Sequence, residues 1–166
     1  MLLSYRMPRE PSTPRIAVWR KLERLGVARL GDGLVALPAD ARTREQLDWL
    51  ADEITEAGGS ATIWLAQPAT AKAEREIAEA MAADRAAEYA KVLGEAEAGH
   101  RLDPTGQMAV LRRLRGELRR IGRRDYFPPP ERDQAHGAVQ TLAESGTAAA
   151  EPAPRHKRPR QGEETP

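Results

Sequence analysis

From Leu2 to Met7 the chain alternates, with Leu3, Tyr5 and Met7 on one side and Leu2, Ser4 and Arg6 on the other. A period of two predicts a half-buried strand. Pro8, Pro11 and Pro14 forbid a longer strand or an early helix. Thr13-Pro14 then reads as a helix start, with Thr at the N-cap and Pro at the first helical position. The helix runs to about Leu25, its expected buried stripe being Val18, Trp19, Leu22 and Leu25, and Gly26 ends it. Val27–Leu30 and Leu34–Leu37 read as two short strands joined by Gly31-Asp32-Gly33, whose glycines supply the positive φ angles of a tight hairpin. Thr43 begins a second helix with Gln46 at capping-box spacing. Leu47, Leu50, Ala51 and Ile54 share one face of it, and Gly58-Gly59 closes it. Ser60 to Ala66 is a fourth strand, with Ile63 and Leu65 alternating against Thr62 and Trp64.

The order strand, helix, strand, strand, helix, strand predicts an α+β ferredoxin-like βαββαβ unit, an antiparallel sheet with both helices on one face. Trp64 falls on the other face, so the later helices or a second subunit are expected to cover it. Trp49 falls off the Leu47–Ile54 stripe and reads either as half-buried under the later helices or as a dimer or interdomain contact. Residues 1–68 make this sheet domain. Residues 69–144 make a helical extension packed on it, with helices over Ala69–Ala98, Thr105–Ile121 and Glu131–Glu144. The stripe of the Thr105–Ile121 helix is Met108, Leu111, Leu114, Leu118 and Ile121, which suits an antiparallel pairing with the helix before it. Tyr126 and Phe127 read as anchors of the following turn onto the sheet domain. From Ser145 to residue 166 the chain is Ala, Pro, Glu and Arg without periodicity, and disorder is expected. Arg155, Lys157, Arg158 and Arg160 form a basic cluster there.

Composition changes this picture in two places. The net charge is only +1, but it is unevenly laid out. Gly106–Arg124 holds seven arginines against one acid, Glu117, while Lys72–Glu97 holds seven acids against four bases. The chain also lacks cysteine, which excludes disulfides, thiolate metal sites and thiol redox chemistry. His100, His136 and His156 lack metal-ligand spacing, and neither metal nor cofactor is expected. No apolar run is long enough to span a bilayer, and Arg6 and Pro8 break any signal-peptide pattern. The expected location is the cytoplasm.

Two arginine groups are the candidate chemistry. Arg112, Arg113, Arg115, Arg119, Arg120, Arg123 and Arg124 form a broad face opposite the apolar stripe. Guanidinium arrays of this kind suit phosphate recognition, because each offers paired donors to oxyanions. The competing reading is a solvated face that pairs with the acidic helix before it. Near the first strand, Arg6, Arg9 and Arg15 stand beside a helix start. Guanidinium groups with helix-start N–H groups suit a tetrahedral dianion; the alternative is a surface loop, with Arg6 paired to an acid across the sheet. Nothing here matches a nucleophile elbow, a P-loop or a dinucleotide fingerprint, and no enzymatic activity is expected.

The stretches LLSYRMPREPSTPRIAVWRKLERLG, LGDGLVALP, REQLDWLADEITEAGG and RRDYFPPPERDQA resemble the N-terminal domain of the chromate-resistance protein ChrB, over about Leu2 to Leu142. That resemblance implies a DNA-binding transcriptional regulator responding to chromate, with chromate as the oxyanion for Arg6, Arg9 and Arg15. The alternative is a protein-interaction or dimerisation module of the same family, without DNA contact and lacking the sensor domain. DNA, an oxyanion and a second copy are thus the expected partners. The first half also resembles the sheet domain of PaaX-type repressors and of CRISPR adaptation nucleases. Those nucleases carry a metal-binding acid at the end of the first strand, where this chain has Arg6. A cation there repels Mg²⁺, which argues against metal-dependent phosphodiester cleavage.

Overall fold

The computed structural model describes the backbone of residues 1–150 and the side chains of residues 1–145. The chain runs β1 (Leu2–Arg6), α1 (Ser12–Leu25), β2 (Ala28–Gly31), β3 (Leu34–Ala36), α2 (Ala41–Glu56) and β4 (Ser60–Trp64). Three helices follow: α3 (Ala71–Gly99), α4 (Pro104–Gly122) and α5 (Glu131–Ala150). The fold is α+β. Its four strands lie in the order β2-β3-β1-β4 with every neighbouring pair antiparallel, which is the arrangement two interlocked βαβ units produce.

Local chemistry moves several boundaries. Pro11, not Thr13, is the N-cap of α1, and no side chain caps it. Pro14 thus sits within the first turn, where a missing N–H costs nothing because those donors have no intrahelical acceptor. The cap of α2 is Asp40 rather than Thr43. Asp40 Oδ1 accepts from the Thr43 N–H at 2.8 Å, and Thr43 Oγ1 accepts from the Asp40 N–H at 3.1 Å. Thr43 Oγ also donates to the Pro38 carbonyl at 2.6 Å, which explains a fully buried hydroxyl. In the β2–β3 hairpin only Gly33 has a positive φ, of 71°. A side chain at Gly33 would collide with the Tyr5 carbonyl, because Tyr5 N–H bonds to the Gly33 carbonyl at 2.7 Å. The expected disorder from Ser145 begins too early: α5 continues to Ala150, through an alanine run of high helix propensity. Arg155, Lys157, Arg158 and Arg160 lie outside the described residues.

Two hydrophobic cores result. The first joins Leu3 and Val35 of the sheet to Val18 and Leu22 of α1 and to Leu47, Leu50 and Ile54 of α2. The second lies among α3, α4 and α5, around Tyr89, Val92, Leu114, Ile121, Val139 and Leu142. Met81 of α3 belongs to the first core, so α3 serves both. Residue pairs Glu95–Arg113 and Glu88–Arg124 show that α4 returns antiparallel to α3.

One aromatic expectation fails, and for Trp64 and Trp49 cover by the later helices falls away while the alternative of an outside contact stands. Trp19 is not core: it is 49 % exposed, with the Arg29 guanidinium 5.6 Å from its ring centre. Its place on the wheel borders the buried stripe, and α2 covers only the Val18–Leu22 side. Trp64 stays uncovered, its indole N–H donating to Ser4 Oγ at 3.0 Å on the bare sheet face. Trp49 is exposed as well, because α3–α5 do not pass over the outer face of α2. Tyr126 does anchor the last turn, donating to the Leu25 carbonyl at 3.1 Å, whereas Phe127 is partly exposed.

A charged seam joins the two cores. Arg85, nearly buried, pairs with Glu88 at 2.9 Å, and Arg124 pairs with the same carboxylate. Arg124 also donates to the Glu23 carbonyl of α1 at 3.2 Å. Gly26, with φ of 69°, caps α1 beneath this pair; a Cβ there would stand 2.7 Å from Arg85 Nη1 and 2.8 Å from Arg124 Cβ. Beside the seam, Tyr89 donates to Asp125 Oδ2 at 3.0 Å. Burial first, then that hydrogen bond, pushes the Tyr89 phenol up to about 12.

Two predictions follow from these contacts. The Thr43 backbone N–H holds the Asp40 carboxyl below the usual carboxylate range. Its stabilisation is therefore complete above the ordinary carboxylate pKa and disappears as pH falls through the lower folded value. Asp40→Ala should cost about 1 kcal/mol at neutral pH, with the gap to the parent closing in acid, as read by urea unfolding at a series of pH values. Tyr89 has the opposite sign. Its raised folded pKa gives stability that is full below the ordinary value of 10.0 and lost as pH climbs towards about 12. Alkaline unfolding followed by circular dichroism should be less steep over that window for Tyr89→Phe; identical slopes would contradict the assignment.

Candidate nucleic-acid interface and oxyanion cleft

Asp103 caps α4 by accepting from the Gly106 N–H at 2.9 Å, and Leu111, Leu114, Leu118 and Ile121 are its buried face. At about 100° per residue, Met108 falls just outside that face, on the side of the arginines, and it is 57 % exposed. The expected stripe was wrong at that residue. Met108, Arg112, Arg115, Arg119 and Arg123 recur at spacings of three and four, so they form one exposed row.

The seven arginines divide into two sets. Arg113 pairs with Glu95 of α3, Arg120 with Glu117, and Arg124 with Glu88. Arg113 and Arg124 thus fit the reading of a face that pairs with the acidic helix before it, whereas Arg120 pairs within α4 itself. Arg112, Arg115, Arg119 and Arg123 are exposed and make no ion pair among the described residues. They project a row of cations about 16 Å long from Arg112 to Arg123, at 1.5 Å of rise per residue. The row ends at the carboxyl end of α4, where positive charge also offsets the helix dipole.

Around β1 the three arginines separate. Arg6 and Arg15 line a cleft of about 610 Å³ together with Tyr5, Trp19, Asp32 and Gly33, and Arg9 does not reach it. Arg6 sits opposite Ser60 across the β1–β4 pair, not opposite an acid. Asp32 brings one carboxylate to the cleft that the sequence reading did not place there. It lies across the hairpin turn, near Tyr5 only because Gly33 bonds to that residue. Burial raises the Tyr5 phenol above its ordinary value, with Arg29 opposing and Asp32 reinforcing the rise, so Tyr5 stays a neutral donor.

One further group escaped the sequence reading. Arg42, at the start of α2, donates to the Arg123 carbonyl at 3.3 Å and lies 5.6 Å from the centre of the Tyr126 ring. It links the carboxyl end of α4 to a groove between α1 and α2. The partners are 81 residues apart, and no local spacing signals the contact. Among the described residues, no helix is long and apolar enough to cross a membrane.

Comparison with known proteins gives a consistent answer. The family described as "Protein ChrB, N-terminal" matches residues 15–100, more than half of the chain. A curated relative, Protein ChrB of Cupriavidus metallidurans, is 28% identical over 132 residues. That alignment takes in 77% of this chain but only 40% of the relative, so the chain spans about two-fifths of that protein's length. No solved structure matches. Most of α1, then β2, β3, α2, β4 and all of α3, fall within the family match, with β1 preceding it, and the chain belongs to the family of ChrB N-terminal domains.

Proposed function

We propose that this chain is the nucleic-acid-contacting part of a chromate-resistance regulator, acting by binding rather than by catalysis in the cytoplasm. Family membership supports the regulatory class. The observation that carries DNA contact is the row Arg112, Arg115, Arg119 and Arg123, whose guanidinium groups have no acidic partner among the described residues. An unpaired cation row on a straight helix matches the charge of a phosphate backbone and contributes affinity through counterion release. Arg113, Arg120 and Arg124 already have carboxylate partners and are assigned to packing and to the fold.

The cleft holding Arg6 and Arg15 is proposed as the oxyanion site, with Tyr5 as a neutral donor beside them. A tetrahedral dianion such as chromate fits paired guanidinium donors. Arg9 is dropped from that site because it does not line the cleft. A second reading, a protein-interaction module without DNA contact, draws support from the bare sheet face, where Trp64 is exposed, and from the exposed Leu65 just past the end of β4.

A gel shift with the protein's own upstream DNA tests the first assignment. Binding should weaken steeply with salt. In Arg112→Ala/Arg119→Ala/Arg123→Ala the log–log salt slope should become shallower by about three, one for each lost phosphate contact. An unchanged slope overturns it, and absent binding with self-association intact favours the interaction module. Calorimetric titration with chromate and with sulfate tests the cleft: Arg6→Ala and Arg15→Ala should each weaken binding roughly tenfold, the scale of one charge-assisted hydrogen bond. Equal heats in all three proteins, or no heat at all, remove the oxyanion site.

A further inference from the structure

The groove between α1 and α2, of about 420 Å³, is lined by Lys21, Arg24, Arg42, Gln46, Trp49 and Glu53 among others. Its chemistry differs from that of the bare sheet face. Lys21 pairs with Glu53 and closes one end. At the other end stands Arg42, held by the Arg123 carbonyl and the Tyr126 ring. Arg24, in the last turn of α1, is exposed and has no ion pair among the described residues. Between these ends Trp49 presents its indole to solvent, 72 % exposed, the highest value of the three tryptophans. One turn before it, Gln46 keeps its Oε1 buried with no hydrogen-bond donor.

These residues share one side of α2, since 42, 46, 49 and 53 recur at spacings of three and four. Trp49 stands about 10 Å along the axis from Arg42, by the helical rise. A ligand that satisfies the groove therefore needs three things. It needs a flat π-face for Trp49, a hydrogen-bond donor on the ring edge for Gln46, and an anionic group within reach of Arg24 and Arg42. An aliphatic carboxylate lacks the ring, a simple arylcarboxylate lacks the ring-edge donor, and an apolar aromatic leaves the cations and the amide unanswered.

We propose that the α1–α2 groove binds a single nucleotide unit, its base stacked on Trp49 and hydrogen-bonded to Gln46, its phosphate held by Arg24 and Arg42. The unit can come from a free nucleoside monophosphate or from an unpaired position of a strand. The inference stands on the groove's own residues and does not require the α4 row to bind a duplex.

The test uses the full chain carrying Trp19→Phe and Trp64→Phe, so that Trp49 is the sole indole, with circular dichroism confirming the fold. Its fluorescence is titrated with AMP, GMP and UMP into the millimolar range, with a short single-stranded oligothymidylate, and with a blunt duplex. Quenching by monophosphates and by the single strand supports a nucleotide site open to both sources. Quenching by the single strand alone supports the site with the strand as its source. In the otherwise unaltered chain, Trp49→Ala and Arg24→Ala should each weaken the binding of a labelled single strand about tenfold, the scale of one lost stacking contact for the first and of one charge-assisted hydrogen bond for the second. Both residues are exposed, so the fold tolerates the changes. No quenching by any ligand, or single-strand affinity equal to wild type in both variants, overturns the proposal. Loss of duplex binding in the α4 triple variant, with Trp49 quenching retained, separates the failure of one site from that of the other.

Discussion

The placement of the helical extension against the sheet unit depends on one ionic seam: Glu88 held between Arg85 and Arg124, over the capping glycine of α1. A four-stranded sheet with two helices has its own core, and three helices have theirs. Ile77 and Met81 of α3 pack against the first core and tie the two units together, without setting the direction in which α4 ends. The seam supplies that direction. Arg124 touches α1 through the Glu23 carbonyl and α3 through Glu88, so it fixes the carboxyl end of α4 against the sheet unit. Desolvating such a cluster offsets much of its Coulombic attraction, and the Nε atoms of Arg85 and Arg124 remain without acceptors. Its contribution is therefore one of geometry more than of net stability. Gly26 is the complement to it, since any side chain there would occupy the space the two guanidinium groups need.

The seam also sorts the arginines of α4. Those facing α3, or lying within reach of acids one turn away, are consumed by carboxylates. Those facing outward are left with water. A sequence rich in arginine does not by itself distinguish the two sets. The orientation of α4, set at one end by Arg124 and along its length by Leu111, Leu114, Leu118 and Ile121, decides which cations remain free for a partner.

The same economy explains the tryptophans. Small apolar residues such as Val18, Leu22, Leu47 and Leu50 fill the space between sheet and helices, and the three indoles remain outside with polar or cationic neighbours. Arg29 lies over Trp19, Ser4 meets Trp64, and Trp49 shares a groove with Arg24 and Arg42. Exposed aromatic rings beside cations are amphipathic contact points, which is a different use of tryptophan from core packing.

The sequence by itself determined the order and type of the elements. Alternation, glycine punctuation and the 3.6-residue stripe report on each segment's own backbone and on whether one of its faces is buried. The sheet order then follows from the short hairpin and the two crossover helices. The family was legible in the same segments, and so was the concentration of arginine on α4. What tertiary structure decided were the matters of which neighbour lies where: that Asp40 rather than Thr43 caps α2, that Trp19 and Met108 border their stripes from outside, and that Arg9 leaves the cleft while Asp32 enters it. It decided, too, that Arg42 meets Arg123 across 81 residues of chain. Each of these depends on the packing direction of separate elements, a long-range quantity to which no local period is sensitive.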